Sequence, residues 1–176
     1  MITNWFVQGM GFVAVAVFIA SYQIKSNRWL FLMQLLGSAL FCLQFFMLGA
    51  FSGCLSLAVN ILRNALMTKY EEWKWVRQKW CPALVILLFV AALLVTWNGP
   101  VSLLAFVASV TSTIAYWTNS PRKIRMVNVA CASPCWLAYD VIVRSVGGVI
   151  SETFTMVSIL VSLVRFGWKG LESDAK

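Results

Sequence analysis

Polar side chains are sparse in this chain and sit inside long apolar stretches, so the few found there carry whatever chemistry it has. Gln34, Ser38 and Gln44 share one stretch, and Asn60 and Asn64 lie one helical turn apart on the next. Asn128, Ser133, Trp136 and Asp140 follow on a later one, with Ser158 and Ser162 on the last. Amides both donate and accept hydrogen bonds, and an indole face stacks on a flat or ring-shaped ligand. A cavity bounded by such groups suits a small neutral polar solute. The same side chains also bond helix to helix, at about 0.6–2 kcal/mol per contact, so each has a structural reading beside the binding one.

Charges are rarer still. Asp140 and Arg144 stand at i,i+4 spacing, and Glu152 opens the next stretch. The three read either as a gate or coupling set, whose ion pairs re-form as a cavity closes, or as an interfacial helix pair of small energetic value. Arg63 and Arg165 end their stretches, where long side chains snorkel to lipid headgroups or flank the mouth of a cavity that takes an anion. With no histidine in 176 residues, His-ligated haem, His-x-Glu zinc sites and Ser-His-Asp or Cys-His nucleophiles are excluded. An intramembrane aspartyl protease needs two facing Asp residues, and only Asp140 lies near an apolar stretch. Cys42, Cys54, Cys81, Cys131 and Cys135 form no Cys-x-x-Cys pair and read as packing residues. No catalytic residue, metal site or cofactor is expected, and the chain does not read as an enzyme.

Composition dictates the elements that hold these residues. The chain is 61% hydrophobic and 11% charged, with mean hydropathy +0.82, whereas a soluble domain carries about 25% charged residues. So much apolar surface requires lipid as its solvent. A spanning helix takes about 20 apolar residues, and the candidate runs are 5–23, 29–48, 51–67, 82–97, 101–118, 126–143 and 149–168. Polar or Gly/Pro breaks separate them, such as Lys25-Ser26-Asn27-Arg28, Asn98-Gly99-Pro100 and Asn119-Ser120-Pro121-Arg122. With seven spans, every one of the 14 Lys and Arg residues except Arg144 falls on one face. The positive-inside bias then predicts the N-terminus outside and the C-terminus in the cytoplasm. The net charge of +8 follows from that topology and from anionic lipid, and no nucleic-acid partner is expected. The first run lacks a basic n-region and a small-residue cleavage site and reads as a retained span. Tryptophans and charges alternate from Lys69 to Trp80, a pattern that predicts an interfacial segment at headgroup level.

The chain also carries an internal repeat. A shift of 94 residues lays Tyr22 on Tyr116, Ser26 on Ser120, Arg28 on Arg122, Leu43 on Leu137 and Gly53 on Gly147. With a short gap, Val59-Asn60-Ile61-Leu62-Arg63 falls on Val161-Ser162-Leu163-Val164-Arg165. This predicts a three-helix repeat over 5–68, an interfacial loop over 69–80, a connector helix over 81–98, a second repeat over 101–168 and a cytoplasmic tail over 169–176. A single connector helix gives the two repeats the same orientation in the membrane, with a cavity on the axis between them.

The 3+1+3 plan resembles the PQ-loop superfamily, which includes the SWEET sugar transporters. Gln8-Gly9-Met10-Gly11 through Leu48-Gly49-Ala50, then Asn60-Ile61-Leu62-Arg63-Asn64, resemble the YgjV-type bacterial inner-membrane family; so do Ser145-Val146-Gly147-Gly148, Glu152 and Val164-Arg165-Phe166. Trp136-Leu137-Ala138-Tyr139 resembles the Trp-x-x-Tyr of the sixth SWEET helix, and Asn60 matches the Asn of the third, with Ser158 or Ser162 at its counterpart in the seventh. Gln23 stands for the Gln of the Pro-Gln motif, with Tyr22 in place of the Pro, and Pro134 is the one visible hinge proline. The resemblance implies a substrate site at Asn60 and Trp136 with Tyr139, Ser158 and Ser162; helical phase adds Ser38, and charge placement gives Asp140, Arg144 and Glu152, with Gln23, as gate or coupling residues.

These readings converge on an all-α integral membrane protein of seven transmembrane helices in the bacterial inner membrane. Its expected role is a small-solute transporter working by alternating access through a central polar cavity. The alternative is a membrane structural or accessory protein without cargo. The expected partners are the lipid bilayer and a small neutral polar solute. A homodimer is optional, since the Gly49-x-x-x-Gly53 spacing falls in a turn.

Overall fold

In the computed structural model the described residues are 5–22 and 27–170, with side chains described except at 21, 22, 27, 28, 30, 31, 121, 162, 163 and 165–170. All of their regular structure is helical. The elements are α1 (Trp5–Tyr22), α2 (Asn27–Met47), α3 (Phe51–Thr68), α4 (Trp80–Val95) and α5 (Val101–Trp117). A composite rod follows: α6 (Pro121–Val127), a π-helical segment (Asn128–Ala132) and α7 (Ser133–Val143), before α8 (Val146–Gly170) closes the fold.

Local chemistry sets the boundaries. Gly49 takes φ +71° at the end of α2, and Gly99 takes φ +82° in the turn before α5, conformations that cost glycine little. Ser120 caps α6 by accepting from the Lys123 backbone N–H at 3.5 Å, with Pro121 in the first turn. The π-helical segment lies just before Pro134. Proline has no N–H to offer the carbonyl four residues earlier, that of Ala130, and a wider hydrogen-bonded turn absorbs the misfit.

The helices pack as a ring. α2 sits between α1 and α3, and the composite rod packs on both α5 and α8. α3 meets α5 and α8 meets α1, so six rods close on themselves, while α4 packs on α3 and α5 and contributes nothing to the central cavity. The 48–50, 96–100 and 144–145 turns gather at one end, here the turn end. The 69–79 loop, with Lys69, Lys74, Arg77 and Lys79, and the 118–120 turn form the basic end.

The ring is polar within and apolar without. Gln44, Ser109 and Thr113 are fully buried, whereas Leu94 and Val164 are 73% and 88% exposed. This distribution is the reverse of a water-soluble domain and is what lipid demands. The predicted helical runs coincide with helices, the sixth beginning five residues earlier than expected. By length and composition, however, only Arg122–Val143 among the described helices suffices to cross a membrane; Trp5–Ala20, Leu32–Met47, Trp80–Val95, Val101–Trp117 and Val146–Val161 are shorter apolar helices. α3 falls short because Asn60, Arg63 and Asn64 interrupt its apolar run.

Candidate functional site

All six rods of the ring contribute to one central cavity of about 110 Å³, room for several waters or one small solute. Its polar wall comes from Gln34 and Ser38 on α2, Asn60, Arg63 and Asn64 on α3, Ser112 and Tyr116 on α5, Asn128, Ser133, Trp136 and Asp140 on the composite rod, and Ser151, Glu152 and Thr155 on α8. The inward face of α8 runs Gly148, Ser151–Glu152, Thr155 and Ile159, the three-and-four spacing of a helix stripe.

Arg63 dominates the basic half of this wall. It is only 5% exposed, and its guanidinium lies 4.4 Å from the centre of the Tyr116 ring. Its hydrogen bonds run to Asn64 Oδ1 (3.4 and 3.3 Å), Thr113 Oγ1 (3.3 Å) and the Ser109 carbonyl (3.5 Å). All of these partners are neutral, so among the described residues the charge is enclosed without a carboxylate. Beside it, Asn60 donates to Ser109 Oγ at 3.3 Å, while Asn60 Oδ1 is buried with no hydrogen-bond partner.

Two carboxylates occupy the other half. Asp140 is 2% exposed and packs against Gly148, where any Cβ would collide with its carboxyl. Its backbone carbonyl accepts from the Ser145 N–H at 2.9 Å, while the Ser145 hydroxyl donates to Gln44 and Asp140 Oδ1 has no partner among the described residues. Glu152 shares the cavity wall with Ser133. The described salt bridges, Lys69–Glu72 and Arg77–Glu71, both lie in the 69–79 loop, so neither cavity carboxylate has a cation partner among the described residues.

Beyond Asp140 the turn end is shut by two sets of contacts. The first is aromatic: Phe45 stacks on Trp136 at 6.2 Å and meets Tyr139 edge-on at 5.6 Å. The Tyr139 hydroxyl lies 2.7 Å from the Gly53 N–H and 3.0 Å from Ser52 Oγ. On the far side of Tyr139 a second cavity, about 610 Å³, opens among the 48–52 and 95–98 segments and the end of α7. The second set is a glutamine clamp. Gln8 donates to the Arg144 carbonyl and accepts from the Val146 N–H, both at 3.2 Å, and Gln44 donates to Gln8 and accepts from the Ser145 hydroxyl at 3.3 Å. Gly147 packs directly on the backbone of Gly11.

This ring of apolar-faced helices around a polar interior is matched by a family model described as "Imp-YgjV: Bacterial inner membrane protein", over residues 5–169. The chain belongs to the Imp-YgjV family. It is 24% identical over 169 residues to Inner membrane protein YgjV of Escherichia coli (strain K12), covering 96% of this chain and 88% of that protein. No solved structure matches it. This Imp-YgjV chain is therefore a protein of the bacterial inner membrane, with the lipid bilayer as its surroundings.

The residues singled out from sequence fall in different places in the Imp-YgjV fold. Ser38, Asn60, Trp136, Asp140 and Glu152 line the central cavity. Tyr139 does not; it lines the second cavity, and its hydroxyl is engaged with α3. Ser158 is exposed, since Ile159 faces inward at that level and successive helical residues are about 100° apart. Asp140 and Arg144 form no ion pair: α7 ends at Val143, Arg144 takes a left-handed φ of 60°, and its side chain is exposed. Arg63 does not snorkel outward, because the neutral groups of α5 hold it inside. Gln23 lies outside the described residues, as do the side chains of Ser162 and Arg165. Sequence reading also missed Gln8 as a clamp and the approach of Cys42 Sγ to Cys54 Sγ at 3.5 Å. A single amide within the apolar run of α1 was a signal for the first; the second depends on how α2 and α3 pack.

Proposed function

We propose that the protein transports a small polar solute by alternating access through the central cavity. The observation that carries this reading is the aromatic layer of Phe45, Trp136 and Tyr139, which stands between a polar cavity walled by all six rods and a second cavity at the turn end. A purely structural bundle gains nothing from enclosing a guanidinium and two carboxylates that have no ion partner among the described residues, each costly to desolvate. The packing order supports two parallel three-helix repeats, α1–α3 and α5–α8, with α4 as connector. The last helix of each triplet touches the first of the other, as a twofold axis along the membrane normal requires. This order is also in keeping with the PQ-loop, SWEET-like plan, and the Lys and Arg residues of the 69–79 loop favour an N-terminus outside. The π-helical segment and Pro134 then supply a hinge beside the cavity.

The test begins with the purified protein in detergent and a panel of sugars, nucleosides, vitamins, amino acids and organic acids. A transported solute raises the melting temperature by mass action. The same solute accumulates in proteoliposomes, and Asn60→Ala and Trp136→Ala abolish both effects while retaining the helical fold. Stabilising ligands that never cross the liposome membrane would instead favour the accessory role.

A further inference from the structure

We infer that the solute is zwitterionic, with its carboxylate held at Arg63 and its amine at Asp140 and Glu152. The inference rests on the transport reading for its biological meaning, but the binding site is argued from charge placement alone. One buried cation and two carboxylates share a single cavity, and none of the three is ion-paired with another charge among the described residues. The signs are segregated along the ring axis. The Tyr139 hydroxyl lies at Gly53, next to Asp140 in sequence, and Arg63 is ten residues farther along α3, roughly 15 Å toward the basic end at helical rise. Glu152 is four residues past Gly148, against which Asp140 packs, roughly 6 Å in the same direction. The order from the turn end is therefore Asp140, Glu152, Arg63.

Each class of solute meets this arrangement differently. A neutral sugar leaves the Arg63 guanidinium and both carboxyl groups without a charged partner. A simple anion satisfies Arg63 and faces two carboxylates; a simple cation does the reverse. A molecule with opposite charges at its ends satisfies both halves at once. A guanidinium is shaped to hold a carboxylate, and the bonds described for Arg63 use four of its five N–H donors at 3.3–3.5 Å, longer than charge-assisted hydrogen bonds run. An ammonium has three donors, enough to bridge the unpartnered Asp140 Oδ1 and Glu152. The unpartnered Asn60 Oδ1 and the Trp136 indole give the middle of the solute a polar contact and a flat wall.

The experiment measures melting-temperature shifts of the full-length protein in detergent with L-alanine and γ-aminobutyrate as zwitterions. The matched controls are n-butyrate, n-butylamine and n-butanol. The expected result is stabilisation by at least one zwitterion and by none of the controls at equal concentration. Arg63→Gln is expected to weaken the apparent affinity on the order of ten- to a hundredfold, the loss of a charge-assisted contact. Arg63→Lys recovers part of it, and Asp140→Asn with Glu152→Gln removes the preference for the amine. Stabilisation by n-butanol or by sugars equal to that by zwitterions overturns the inference, as does silence of the whole series with wild-type protein. Because the ligand series is read on wild-type protein, a variant that fails to fold does not obscure the outcome. Uptake of a neutral solute into proteoliposomes would sink the zwitterion and leave transport standing. Zwitterion binding without flux would keep this site and sink transport.

Discussion

Tyr139 shows how one side chain joins two halves of the molecule. The first backbone N–H groups of a helix have no partner within it, and α3 has no side-chain cap of its own at Ala50. The Tyr139 hydroxyl reaches Gly53 N at 2.7 Å across 86 residues of sequence and supplies that cap. Tyr139→Phe is expected to destabilise the protein by about 1–2 kcal/mol, the usual cost of an unmade buried hydrogen bond. Gly53→Ala is expected to cost more, because its Cβ would meet the Tyr139 ring at 2.6 Å and displace the layer that also holds Phe45. Unfolding midpoints in detergent compare the two; equal or smaller loss in Gly53→Ala would show that the ring yields freely. Arg63 was legible at this scale only as a cation near a helix end. Whether it turns toward lipid headgroups or toward Tyr116 depends on α5, which lies some 50 residues away.

Among the elements, the composite sixth rod differs most from a simple spanning helix. Pro134 leaves the Ala130 carbonyl without its α-helical donor, and the five π-helical residues place Asn128 and Ala132 on the cavity wall beside Ser133. Pro134→Ala restores the donor. Its expected outcome is a fold of unchanged or slightly higher stability, slower amide exchange over residues 128–133 and reduced solute flux. Unaltered exchange and flux would mean that the π-helical segment is not a hinge. The helical run itself was evident from apolar length, and Pro134 stood out as a hinge proline by the SWEET resemblance. The π-helical turn was not evident, since one extra residue in a turn changes no periodicity that an apolar stretch can display.

For the molecule as a whole, the charge distribution makes a prediction about sidedness. The basic end carries Lys69, Lys74, Arg77 and Lys79 in one loop, and the turn end presents Asn98 and Arg144. In a variant lacking the native cysteines, Asn98→Cys is expected to react with a membrane-impermeant maleimide in intact cells. Lys74→Cys should react only after permeabilisation. Labelling of both from the same side would break the ring's assignment as a through-membrane bundle, and the reverse pattern would invert its orientation.

Apolar runs, their polar breaks and the one-sided distribution of Lys and Arg were enough to specify the helices, their approximate limits and the lipid environment. These properties depend on composition within a single segment, where solvent preference acts on each residue separately. The cavity is a different kind of property. That Ser158 is exposed while Ser151 and Thr155 face inward depends on the rotation of α8 against α1 and α7. That Asp140 meets Gly148 and Ser145 instead of Arg144 depends on the left-handed turn that ends α7. That Arg63 is enclosed among neutral groups depends on α3 meeting α5. Helical phase and helix–helix contact arise from packing between distant segments, so only the folded ring places the three charges in one chamber.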